Sequence, residues 1–220
     1  IFEPFSIKTL PTDASTYIRR ISGEANQPFA FRKLRKSIRN SEQNVSLVWL
    51  DGWLLEPLSN PKTSLWLYGA GHVGRAIVDT FDGLPFNIKW VDTSADRFPS
   101  YIPPHADRLI ANKPTNVVRY APDIAHHVVL TYSHALDLDL CHAILSRPFS
   151  TLGLIGSATK RARFSSKLID LGHTSAQISR IICPIGQRQL GKTPKAIAIG
   201  LATELLSFKA LSFANKKATT

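Results

Sequence analysis

Methionine is absent from all 220 residues, and cysteine occurs only twice. A chain that starts at Ile1 without a Met reads as a piece of a longer protein, or as one from which residues are missing. Cys141 and Cys183 lie far apart and without metal-ligand spacing, which fits a reducing, cytoplasmic setting rather than a disulfide framework. No apolar run approaches the ~20 residues that cross a bilayer. No basic stretch leads into an apolar one as in a secretory leader, so no membrane segment is expected. H-E-x-x-H, a Ser-His-Asp ordering and paired zinc cysteines are all missing. The sequence therefore names a binding site more clearly than a reaction.

Acidic residues are also scarce, at 16 against 27 Lys and Arg, a formal excess of 11 positive charges. A positive surface attracts anions. The charges fall in separate clusters, RKLRKSIR at 32–39, KRARF at 160–164, RQLGK at 188–192, and Lys216 with Lys217. No RNP-like aromatics, zinc finger or long basic helix accompany them, so nucleic acid is not the expected partner. Solvated faces, a phosphorylated small molecule and an acidic protein partner are the readings left open.

From about residue 63 short apolar runs alternate with helical patterns, as in a parallel sheet wound with crossover helices. LWLY at 65–68, FNIKWVD at 86–92, RLIA at 108–111, HHVVLT at 126–131 and TLGLI at 151–155 read as strands, with a sixth before Cys183. Helices are expected over 74–81, 137–146 and 159–171, and again from Thr193, a cap followed by Pro194 in the first turn. Residues 1–62 mix short apolar stretches with a charged helical stretch near 28–39, and SNPKT at 59–63 reads as a linker. The expected fold is thus α/β, a Rossmann-like parallel sheet flanked by helices over 63–215, preceded by a small N-terminal α+β segment over 1–62.

Two strand-to-helix turns carry the candidate site. In LWLYGAGHVGRAI, Gly69 allows a tight turn, Gly71 lets a pyrophosphate approach the backbone, and Gly74 lets helix and strand pack closely. His72 stands inside that turn and can touch whatever lies there. Asp92 ends the next strand where an acidic residue accepts a ribose hydroxyl, while Arg97 offers a phosphate partner instead. In LGLIGSATKRARF, Gly156, Ser157 and Thr159 expose amides and hydroxyls at a helix start, with Lys160, Arg161 and Arg163 adding positive charge. Cations there oppose the helix dipole unless an anion binds; the alternative is that they point into solvent. His134 follows the fourth strand at the carboxyl edge of the sheet, where ligands of such folds sit. Asp137 is read as a helix-start residue, and Cys183 as buried packing or a soft ligand. No metal site is expected.

With GAGHVGRA at 69–76, VDTSADRFP at 91–99, SHALDLDLC at 133–141, GLIGSATKRARF at 153–164, and CPIG followed by GKTPKAIAIGLATELL, the chain resembles the XdhC/CoxI family. These are accessory factors of xanthine dehydrogenase and related molybdenum hydroxylases. The resemblance implies a protein, not itself an enzyme, that binds molybdenum cofactor, protects it while its sulfido ligand is installed, and passes it on. Implied partners are a cysteine desulfurase and the molybdenum subunit of the dehydrogenase, with homodimerisation also expected. The family's usual N-terminal domain is not recognisable in 1–62. The expected binding region is the crevice between Gly69–Gly74, His134 and Gly156–Arg161. The competing expectation is an NAD(P)-dependent oxidoreductase in which Asp92 holds the ribose.

Overall fold

A computed structural model describes residues 16–23, 26, 29, 30, 33, 47–57 and 62–217, with the backbone alone at 16, 57, 188 and 209–217. The chain divides into two compact units, Ile1–Pro61 and Lys62–Thr220.

In the first unit, β1 (Thr16–Arg20), β2 (Val48–Leu50) and β3 (Trp53–Pro57) form an antiparallel sheet in the order β1-β3-β2. Asp51 and Gly52 join β2 to β3 with φ of 50° and 78°. Two successive positive φ values match the twist of a hairpin, and Asp-Gly is the pair that adopts them most readily. The VWL and WLLEP parts of the apolar stretches VSLVWL and GWLLEPL therefore become one hairpin. The helical stretch near 28–39 lies outside the described residues except at 29, 30 and 33, as do 59–61 of the expected linker; Thr63 already belongs to a strand.

The second unit holds six parallel strands in the order β6-β5-β4-β7-β8-β9. They are β4 (Thr63–Tyr68), β5 (Phe86–Asp92), β6 (Ala106–Ile110), β7 (His126–Val129), β8 (Thr151–Leu154) and β9 (Ile181–Ile182). The helices are α1 (His72–Thr80), α2 (His134–Leu145), α3 (Ala158–Asp170), α4 (Ser175–Ser179) and α5 (Pro194–Lys217). Two expected helix starts move upstream. His72 rather than Gly74 opens α1, because glycine suits the N-cap and Gly71 holds it. Ser133 caps α2 by accepting from the Leu136 amide, so that Asp137 stands in the first turn of the helix, three residues after its first.

Strand side chains alternate faces, and β4 shows the consequence. Leu65 and Leu67 join Ile77, Phe81, Ile88, Trp90 and Leu201 in one buried cluster. Trp66 and Tyr68 join Val129, Leu140, Ile144, Leu152 and Leu168 in the other. Each face is covered by helices, α1 and α5 on one side and α2 to α4 on the other, which is why the strands read as nearly continuous apolar runs. His127 in β7 is fully buried and stacks on Tyr68, its Nδ1 lying 3.2 Å from the Tyr68 hydroxyl. Burial, with lesser repulsion from Arg147 and His126, pushes its pKa down to about 3, so the ring stays neutral. The order of strands reverses direction at β4 and β7, placing the turns that follow both strands at the edge where open α/β sheets bind ligands.

Candidate functional site

The turn after β4 is built around the Gly69 carbonyl. Gly69 adopts a φ of +123°, a region that favours glycine, and its carbonyl accepts from Trp90 Nε1 at 2.9 Å. A Cβ on Gly74 would come within 2.2 Å of that same carbonyl, so helix and strand pack here only with glycine. Gly71 differs: a Cβ there would meet nothing within 4 Å, and it caps α1 without any side-chain hydrogen bond. No acidic residue stands in the first turn of α1. Exposed His72 opens this helix, and the first amides of a helix have no partner within it.

Asp92 closes the turn from the neighbouring strand. Its Oδ2 accepts from the Ala70 amide at 2.6 Å, and its Oδ1 accepts from the Thr93 amide at 2.7 Å. Arg97 Nε lies 3.4 Å from Oδ1, and the carboxylate is 3% exposed. Asp92 thus shapes the turn, with both oxygens engaged by the protein. Arg97 also lays its guanidinium over the Tyr132 ring, 3.7 Å from the centroid. This contact joins the loops leaving β5 and β7, the two strands that flank β4.

The turn after β8 is arranged differently. Ser157 caps α3 by accepting from the Lys160 amide at 3.2 Å. Lys160 does not face solvent. Its Nζ donates to Asp137 Oδ2 at 2.6 Å and to the Ile155 carbonyl at 2.9 Å, with the side chain 10% exposed. Asp137 is completely buried, and its Oδ1 accepts from the Thr131 amide and hydroxyl at 2.9 and 2.7 Å. The alkyl chain of Lys160 crosses Gly156, where a Cβ would meet it at 2.6 Å. Arg161 donates through Nη2 to the Ile178 carbonyl at 2.7 Å, while its Nη1 is buried without a hydrogen-bond partner. Two of the three residues expected to offer charge to an anion, Lys160 and Arg161, are therefore turned inward, because a buried carboxylate and a helix-end carbonyl claim them. Cys141 lies fully buried beside this pair, and burial pushes its thiol up to about 12.

These residues do not gather into one crevice. A cavity of about 620 Å³ opens beside Gly156, Ser157 and Thr159, within the range of small-molecule sites. Its far walls are Pro184 to Gln187, Gly191, Lys192 and Ile197, none of which the sequence placed in the site. Two close approaches bring this wall in: a Cβ on Gly186 would meet the Ile197 carbonyl at 3.1 Å, and one on Gly200 would meet the Gln187 amide at 2.4 Å. The available signal was the pair of segments CPIG and GKTP, visible as a motif but without a position in space. His134 lines a second, smaller cavity of about 160 Å³ between α2 and α3, with Arg163 and Lys167. Gly69, Gly71, Gly74 and Asp92 line neither of these two cavities. Cys183 sits at the edge of the larger one's wall, its Sγ 3.9 Å from the Ser157 carbonyl. Among the described residues no three His, Cys, Asp or Glu side chains are grouped to hold a metal ion, and no helix is long and apolar enough to cross a membrane.

Comparison with known proteins agrees with this fold. The profile of the XdhC Rossmann domain matches residues 65–205. An Escherichia coli (strain K12) protein, named only as uncharacterized protein YqeB, is 30% identical over 146 residues, which are 66% of this chain and 27% of that protein. The chain thus spans about a quarter of that relative's length. A Bacillus halodurans protein of known structure, described as a xanthine dehydrogenase, superposes with a TM-score of 0.58 at 19% identity over 79% of this chain and 48% of its own, a likeness of fold alone. A Shigella flexneri protein described as a Rossmann-fold NAD(P)-binding family member reaches a TM-score of 0.42 at 12% identity over 64% of this chain and 85% of its own, and carries no argument.

Proposed function

The chain belongs to the XdhC family, and from that premise we propose that it is an accessory factor, in the cytoplasm, that binds molybdenum cofactor as cargo and hands it to a molybdenum hydroxylase. The observation that carries this reading is the cavity of about 620 Å³ at the carboxyl end of β8. Its residues fit the organic part of such a cargo. Ile155, Pro184, Ile185 and Ile197 supply apolar walls for a flat pterin, and Thr159, Gln187 and Lys192 supply donors for its polar edge and phosphate. A protein with this role needs a donor and a recipient. On this reading they are a cysteine desulfurase and the molybdenum subunit of a xanthine dehydrogenase or relative, with a homodimer as the carrier.

A second reading, an NAD(P)-dependent oxidoreductase, is favoured by the open backbone at Gly71, and a Rossmann fold is compatible with nucleotide binding. Against it stands Asp92, whose carboxylate is already engaged by Ala70, Thr93 and Arg97. Anaerobic titration of the purified protein with molybdenum cofactor, NAD(H) and NADP(H) separates the two. The cargo reading expects saturable binding of the cofactor. Tight nicotinamide binding with turnover, and no binding of the pterin, would sink it.

A further inference from the structure

Between β5 and β6 the chain crosses over without an α-helix. Pro99, Pro103 and Pro104 break that segment, and past the short turn Ala95–Arg97 it runs from Phe98 to His105 along the flank of α1. Helix and segment border a cavity of about 450 Å³, within the range of small-molecule sites. Two features of its lining point to a positively charged guest. The first is a pair of acceptors that face each other. His105 is buried, its side chain 7% exposed, and its Nε2 lies 2.8 Å from the Val78 carbonyl. A carbonyl only accepts, so Nε2 carries the hydrogen, and in the neutral ring Nδ1 is left as a bare acceptor. That nitrogen lies 3.4 Å from Asp82 Oδ1, another acceptor. A proton on Nδ1 would join the two only across a separation longer than the roughly 2.7–2.9 Å of a charge-assisted bond, whereas an N–H donor in the cavity can serve both. The second feature is the company these acceptors keep. Asp79, in the last turn of α1, is exposed, and nothing among the described residues engages its carboxylate. Tyr101 lines the same cavity and is 70% exposed. Arg75 also lines it but does not neutralise the carboxylates, because its Nε and Nη2 donate to the carbonyls of Ala70 and Arg97 at 3.1 and 2.8 Å. Carboxylates beside an accessible aromatic ring suit a cation, and a planar guanidinium, with its fork of donors and stackable face, fits them better than a compact ammonium.

We infer that this cavity is a site for a guanidinium group, the head of an arginine side chain or of a small arginine-derived compound. Asp79 and Asp82 supply the countercharge, His105 Nδ1 accepts one of its N–H groups, and the Tyr101 ring packs on its plane. The site is separate from the cargo reading and stands if that reading fails, because it shares no residue with the larger cavity beside α3. It also runs against the charge of the whole chain, whose 27 Lys and Arg outnumber 16 acidic residues. Local groups, not the overall field, therefore set its selectivity.

The test titrates the whole chain, followed by NMR chemical shifts, with the peptide acetyl-Gly-Arg-Gly-amide, with its citrulline counterpart and with agmatine. Citrulline replaces the guanidinium by a neutral urea of the same shape. Wild type is expected to bind both guanidinium probes saturably and the citrulline peptide far more weakly. Asp82→Asn and Asp79→Asn should each weaken the arginine peptide about fivefold, the upper end for an exposed ion pair, and the double variant should lose the preference over citrulline. Tyr101→Ala should weaken it about threefold. Asp170→Asn, which removes an exposed carboxylate of α3 outside the cavity, should change nothing. Tighter binding of the arginine peptide than of agmatine assigns the site to a partner protein's arginine, and the reverse order to a free guanidinium compound. No saturable binding of either guanidinium probe, equal binding of the arginine and citrulline peptides, or a loss in Asp170→Asn as large as in Asp82→Asn overturns the inference. So does a His105 ring that carries hydrogen on both nitrogens at about pH 8, since a proton on Nδ1 leaves no acceptor for the guest.

Discussion

The two glycine-bearing turns of this domain look alike as sequence and differ as physical objects. After β4, the helix start is capped by Gly71 without a side-chain hydrogen bond and has open space where a Cβ would stand, while its buried carboxylate, Asp92, is used up in holding the turn together. After β8, the helix start caps itself through Ser157, and its lysine neutralises a carboxylate that lies completely buried. The first turn is built of backbone packing, with glycine required by close approach at Gly69 and Gly74. The second is built of side-chain electrostatics. Yet the larger cavity borders the second turn, because the segment from Pro184 to Ile197 folds across it. Free amides and enclosed space are separate properties, and here they occur at different turns.

The comparison breaks most readily at Lys160. Lys160→Ala leaves Asp137 charged and buried without its partner, a situation that costs about 3–5 kcal/mol. Urea denaturation should report a loss of that size, whereas His72→Ala, in the exposed first turn of α1, should stay within about 0.5 kcal/mol of wild type. Comparable stabilities for the two variants would show that the second turn is not held by its ion pair. Gly74→Ala comes next. Its Cβ would sit 2.2 Å from the Gly69 carbonyl, and overpacking of this kind typically costs about 1–3 kcal/mol. Gly71→Ala meets no atom and should lose only the N-cap preference of glycine over alanine, about 1 kcal/mol or less; a much larger drop would mean that its open face is not open in solution. A loss of similar size is expected at the second helix start, where Ser157→Ala removes a cap worth about 1 kcal/mol. Calorimetry that found no change would assign the capping of α3 to other groups.

Much of the domain was legible in the chain before it was folded. The order of strands and helices from residue 63 follows from alternating apolar runs, and the roles of Gly69 and Gly74 follow from the spacing of glycines around a strand end. Thr193 and Pro194 announced the last helix, which the structure begins at Pro194. Lys160 was legible only as a charge. A positive side chain in the first turn of a helix looks available to an anion until the position of Asp137, 23 residues earlier on another helix, is known. Asp92 was likewise legible as an acid at a strand end, but not as one whose oxygens are already bound by Ala70 and Thr93.

The sequence by itself determined the Rossmann-like layering, the family and the two glycine turns, because hydrophobic periodicity and glycine's conformational range act over a few neighbouring residues. Tertiary structure alone decided which charges remain available and where the cavity lies. Both depend on groups distant in the chain: Asp137 claims Lys160, and Gly186 and Gly200 let the segment that walls the larger cavity pack closely on the last helix.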